Sequence, residues 1–186
     1  SVAQRVTLLH ALRTSVAQAA EDWAKTAADS KQLRGNHPLR GEEWLGGPYA
    51  VLGAIDAYIA TLDKLAAGRG PLDGIRLSRA PGGRVRVDAF PLTTGDRLLL
   101  KGFHGEVWLR PGVTPEIARA AAGLGQRTPG ASGGIGLVLG AGNVSAIPVL
   151  DVLYELLAHN RVSLLKVNPT QDALVPVFEH ALAPLI

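Results

Sequence analysis

The stretch GIGLVLGAGNVSAIPVLDVLYELLAHNRVSLLKVNP, Gly134 to Pro169, decides the fold. Ile135 to Leu139 is apolar almost throughout, the pattern of a short strand buried on both faces. The run stops at Gly140, and Gly140-Ala141-Gly142-Asn143 turns the chain. Pro148 to His159 has helix spacing, and Ser145 stands where a capping side chain belongs. Val162 to Lys166 reads as a second buried strand. Strand, helix and strand within about 30 residues make a βαβ unit, whose crossover is right-handed almost without exception.

Outward from this unit the period of the sequence changes twice. Downstream, TQDALVPVFEHALAPLI reads as a helix broken or kinked near Pro176. It ends on an apolar face with neither capping glycine nor polar tail, and methionine is absent, so the chain is expected to be part of a longer protein. Upstream, Val6, Leu9, Leu12, Val16, Ala19, Trp23 and Ala27 recur by threes and fours and predict a helix over 5–29. RGNHPLRGEEWLGGP (34–48) reads as a loop, and a second helix is expected over 49–67, stopped by Gly68. From Gly82 the period becomes two. RVRVDAF (84–90), DRLLLKG (96–102) and GEVWLRPG (105–112) are expected to form two or three antiparallel strands, with Val85 and Val87 on one side and Trp108 in the core. TPEIARAAAGLG (114–125) opens a helix with Thr114 as N-cap and Pro115 at its first position. GQRTPGASGG (125–134) reads as a flexible connector. The expected fold class is α/β, with a helical segment over 1–80, a small antiparallel element over 81–113 and the start of a parallel nucleotide-binding domain over 114–186.

Composition narrows the partners. Hydrophobic residues make up 47% and charged residues 19%, which suits a soluble globular chain. The net charge is only +3, its basic residues are scattered, and aromatics are 5%, so no nucleic-acid footprint is visible. The absence of cysteine removes disulfides, thiolate metal sites and thiol nucleophiles together, and suits a cytoplasmic setting. No uninterrupted apolar run has the length of a membrane span, so no membrane partner is expected.

The turn after the first strand carries the chemistry. Glycines between a strand and a helix let a phosphate approach main-chain N–H groups. Gly140-Ala141-Gly142-Asn143-Val144-Ser145 approximates G-x-G-x-x-G with serine in the third glycine's place. The dinucleotide pattern also needs an acid at the end of the second strand to hold a ribose, and this chain has Lys166 there. A tight structural turn with a solvent-facing lysine fits the same residues. For Asn143 the alternatives are a donor to a developing oxyanion, or a helix cap or turn residue.

LVLGAGN followed by an apolar helix and VSLLKVNP resembles the N-terminal half of the aldehyde dehydrogenase superfamily. In that family the first strand ends in an asparagine turn, typically P-W-N, and the next ends in lysine, typically L-K-P-S/A-E. The GAGN form is similar to atypical members and to the acyl-CoA reductase branch. The order of helices and small strands upstream agrees. The resemblance implies that Asn143 stabilises a thiohemiacetal oxyanion and that Lys166 bonds the adenosine ribose of NAD or NADP. Gly140, Ala141, Gly142 and Asn168 would complete the cofactor contacts. It implies an aldehyde or an acyl thioester as substrate of the parent protein, and a homo-oligomer. The family's ribose-binding glutamate, three residues past the lysine, is Pro169 here, and Ala141-Gly142 replaces P-W. Its cysteine nucleophile and assisting glutamate would lie beyond Ile186, so the chain alone is expected to be inactive and to bind cofactor weakly or not at all.

The remaining candidates read as structural. His10, His37, His104, His159 and His180 lack metal-ligand spacing, and His159 suits a helix end. Glu42, Glu43 and Asp56 read as solvated surface without partners. Ser132 does not follow a strand as a nucleophile elbow would. The alternative to an oxidoreductase is a non-catalytic nucleotide-binding or protein-interaction module, with an unpaired sheet edge favouring association.

Overall fold

The apolar spacing of the N-terminal segment folds as one long helix, α1 (Val2–Ser30), in a computed structural model that describes residues 1–127 and 133–186. Its inner stripe of Leu9, Leu12, Val16, Ala19, Trp23 and Ala27 is buried. Three further helices close the core around that stripe. From α3 (Ala50–Ala66) come Val51, Ile55, Ile59 and Leu62, and from α7 (Ile147–Ala158) Val149, Leu153 and Leu157. From α8 (Val175–Leu182) come Phe178, Ala181 and Leu182. Trp23 meets Phe178 edge to face at 5.1 Å, the favoured aromatic geometry.

The segment read as a loop over 34–48 is partly helical. Arg40–Trp44 form α2, and Leu45–Tyr49 form one wide π turn that leads into α3. Gly47 carries the irregularity, with φ −124° and ψ −115°. The run Arg40–Ala66 has the length and composition of a membrane span. Its apolar stripe lies against α1, as in a core helix. Gly68 ends α3 at φ +70°, a conformation that favours glycine.

Two compact units divide the described chain: residues 1–67 with 125–186, and residues 68–124. In the first, β4 (Ile135–Leu139) and β5 (Val162–Lys166) pair in parallel, with Ile135 opposite Val162, Leu137 opposite Leu164 and Leu139 opposite Lys166. The βαβ reading is therefore present in the fold, but burial on both faces is not. Gly136 and Val138 are buried, whereas Ile135, Leu137, Leu139, Val162 and Leu164 are exposed. Alternation, not uniform burial, governs both strands. The last segment is broken near Pro176, one of the two expected forms: Pro169–Leu174 form a 3₁₀ turn, and Pro176 lies in the first turn of α8, where its missing N–H has no partner to lose.

The second unit is an antiparallel sheet in the order β1 (Leu77–Arg79), β2 (Val85–Phe90), β3 (Gly105–Trp108). Val85 and Val87 are buried as expected. Arg86, on the opposite face of β2, donates to Ser78 Oγ at 2.9 Å and pairs with Glu106 at 3.3 Å. DRLLLKG is not a strand: Thr94–Leu99 form α4. Thr93 and Asp96 make a capping box, and the N–H groups of Thr93 and Leu92 hold the Asp96 carboxyl below its usual pKa. Trp108, expected in the core, is 46% exposed, and its indole donates to Glu106 at 3.1 Å. Helix α5 (Pro115–Ala121) begins as read, with Thr114 Oγ1 accepting from Ile117 N. A short helix, α6 (Leu124–Arg127), follows. Ser132 lies outside the described residues.

Leu153 is fully buried at the centre of the first unit. Leu153→Ala is expected to lower stability by about 2–5 kcal/mol in urea unfolding, and a loss well under about 1 kcal/mol would contradict this placement of α7.

Candidate functional site

The glycine turn and the lysine meet at the carboxyl end of the parallel pair. Leu139 is the register partner of Lys166, and one residue on, Gly140 N–H donates to the Lys166 carbonyl at 2.9 Å. Neither Gly140 nor Gly142 has a positive φ; close approach is what demands them. A Cβ on Gly140 would lie 3.2 Å from the Lys166 carbonyl oxygen and from Pro148 Cγ. On Gly142 it would lie 2.7 Å from Thr170 Oγ1 and 2.9 Å from Asn168 Cγ.

Asn168 and Thr170 tie the loop after β5 to the loop after β4. Thr170 Oγ1 donates to the Gly142 carbonyl at 2.9 Å, and Asn168 Oδ1 accepts from Thr170 N at 3.1 Å. Asn168 thus caps the 3₁₀ turn, and its amide side chain abuts Gly142. Of the sequence-derived site residues, Gly140, Gly142, Lys166 and Asn168 are brought together directly. Ala141 sits half-buried between the two glycines.

Asn143 is exposed, and its main-chain carbonyl accepts from Lys31 Nζ at 3.2 Å. It lies in the bend after Gly142 without a positive φ, and it does not cap α7, whose N-cap is Ala146 without a side-chain bond. Lys166 is also exposed and enters no ion pair among the described residues.

The capping role expected of Ser145 is corrected. Its Oγ, buried, accepts from the Trp23 indole N–H at 2.8 Å. The start of α7 is held from outside instead, because Ala146 N–H donates to the Gly46 carbonyl at 2.9 Å. Gly47 fits against the same pair: a Cβ there would lie 3.1 Å from both Ser145 Oγ and Trp23 Nε1. This engagement has a chemical consequence. The Ala146 amide, at the N-cap of α7, is bonded to protein and so is not offered to a ligand.

Three side chains unremarked or misread in the sequence border the turn. Glu43, read as solvated surface, is buried and paired with Lys31 at 2.7 Å. Gln171 is buried, and its Oε1 has no hydrogen-bond partner. Lys31, Glu43, Gly142, Thr170 and Gln171 share a small cavity of about 120 Å³. Its free acceptor calls for a donor group. The only sequence signal was the acidic pair in a glycine-rich segment, which cannot reveal a lysine on another helix. Asp56, likewise read as unpartnered, pairs with Arg13 at 2.6 Å on the surface.

A larger cavity of about 360 Å³ lies between α7, β5 and α8. Val152, Leu156, Leu165, Phe178 and Leu182 make it apolar, and Ser163 Oγ is buried there without a partner. His159 ends α7 as read, edge to face with Tyr154 at 5.0 Å. No group of acidic or histidine side chains suited to a metal ion occurs among the described residues. No family model, curated protein or solved structure matches the chain.

Lys31→Ala would leave the buried Glu43 carboxylate without its cation. A loss of about 1–3 kcal/mol in chemical denaturation is expected, mostly recovered when Glu43→Gln is added. An unchanged midpoint in the single variant would contradict the pairing.

Proposed function

We propose that the carboxyl end of the β4–β5 pair is a half-site for a nicotinamide dinucleotide, belonging to an aldehyde dehydrogenase-like oxidoreductase. The observation that carries this reading is the direct contact of the glycine turn with the end of β5 at Gly140 and Lys166, at the strand ends where open α/β sheets take ligands. Lys166 has the charge and the reach to bond a ribose hydroxyl or a 2′-phosphate, so NAD and NADP both remain candidate cofactors. Asn168 stands beside it. Asn143 is an exposed amide on the same turn, without a capping duty, and suits a donor to negative charge developing on a carbonyl oxygen.

The fit is partial in two respects. The α7 amide at Ala146 is engaged, and Pro169 stands where the family has a carboxylate for the ribose. Binding through Lys166 and Asn168 alone should be weak. The dinucleotide would supply hydride transfer, and the chain's own residues would orient it and polarise the carbonyl. Thiohemiacetal chemistry needs a thiolate, which these 186 residues do not contain. The substrate of the parent protein would be an aldehyde or an acyl thioester.

The exposed apolar face of β4 and β5 favours a second reading, a protein-interaction module without catalysis. Calorimetric titration separates the two. The half-site reading expects saturable binding of NAD or NADP, weakened about tenfold or more by Lys166→Ala. Binding indifferent to that change would refute it. The chain alone should turn over neither an aldehyde nor an acyl thioester. Where these residues accompany the family's cysteine, Asn143→Ala should lower kcat by about 10²–10³ with little change in cofactor affinity. The reverse pattern would make Asn143 a positioning residue for the turn.

A further inference from the structure

Ile135, Leu137 and Leu139 of β4 and Val162 and Leu164 of β5 stand on one face of the parallel pair, in two adjoining rows set by the register. They are between 63% and 77% exposed. A sheet with one face in water normally turns polar side chains outward. Here every outward position of the two strands is apolar except Lys166, at one end. At on the order of 100–150 Å² for each side chain, the patch comes to roughly 600 Å², the upper limit of what a monomer usually leaves in water.

We propose that this face binds a second copy of the chain, sheet against sheet across a twofold axis. The area is sufficient: two such faces would remove about 1,200 Å² from water, within the range of specific interfaces. The charge pattern also suits self-association, because the five apolar positions carry no charge and the one cation, Lys166, stands at an end of the face. Its five apolar side chains meet their own copies without repulsion, and facing sheets pack about 10 Å apart with interleaved aliphatic side chains.

Lys166 selects between the two possible axes. A twofold along the strands would bring the two Lys166 ends together. A twofold across the strands sends them to opposite ends, each beside the Ile135 and Val162 end of the other copy. The second arrangement avoids the like-charge contact and puts Leu137 and Leu164 nearest the axis.

Because the chain has no cysteine, a single introduced thiol reports the geometry cleanly. Sedimentation equilibrium of the whole chain is expected to give a dimer with a Kd of about 1–10 μM. Leu137→Glu, an exposed position whose change should leave the circular dichroism intact, should weaken it about a hundredfold or more. Under mild oxidation Leu137→Cys should cross-link, and Glu21→Cys, exposed on α1, should not. A chain that stays monomeric up to about 1 mM, or a dimer that survives Leu137→Glu, would overturn the interface. Cross-linking by Lys166→Cys but not by Leu137→Cys would overturn the axis across the strands.

Discussion

The buried hydrogen bond from the Trp23 indole to Ser145 Oγ organises the first unit. Trp23 is the largest side chain in the core and carries one donor that burial obliges it to use. Meeting that need draws Ser145 out of the capping position and fixes the start of α7 against α1. The π turn at Leu45–Tyr49 closes over the same point, since only glycine at position 47 leaves room beside both partners. Ala146 then bonds to Gly46, and the chain leaving β4 must turn at Gly140 to Gly142. Packing beneath the glycine turn thus helps set its shape.

That constraint explains how an apparent nucleotide motif departs from its pattern. A conventional cradle keeps its helix amides free for phosphate. Here the first of them is occupied, and what faces outward is Asn143 on one loop and Lys166 at the end of the neighbouring strand. The chemistry on offer is an amide donor and a cation held together by main-chain contact between their elements. The buried Glu43, paired with the more exposed Lys31, and the unpartnered Gln171 acceptor make the floor beneath this turn polar. A polar floor is a consequence of placing α1 and α2 under the loop.

What was legible in the sequence was what depends on local period. The stripe of α1, the glycine that ends α3, the Thr114–Pro115 opening of α5 and the strand–helix–strand order from Ile135 to Lys166 all rest on neighbours within a few residues. Misreadings fall where a distant partner decides. Ser145 looked like a cap until Trp23, more than a hundred residues away in sequence, claimed its oxygen. Glu43 looked solvated because Lys31 belongs to another helix. The leucine run at 98–100 supports strand and helix equally, and the capping box of Thr93 and Asp96 decides for helix. The uniform apolarity of β4 suggested two covered faces, yet among the described residues only one is covered. Of the site, Gly140, Gly142, Lys166 and Asn168 were legible as a motif. Lys31, Glu43 and Gln171 were not, because they come to the turn from separate elements distant in sequence.

The claim on which the functional reading depends is that the two loops at the carboxyl end of β4 and β5 form one ligand site. Amide chemical-shift mapping of the labelled chain during addition of NADP tests it most directly. Shifts concentrated at Ala141, Gly142, Asn143, Lys166 and Asn168 are expected. Shifts confined to the cavity between α7, β5 and α8, or to the second unit, would contradict it.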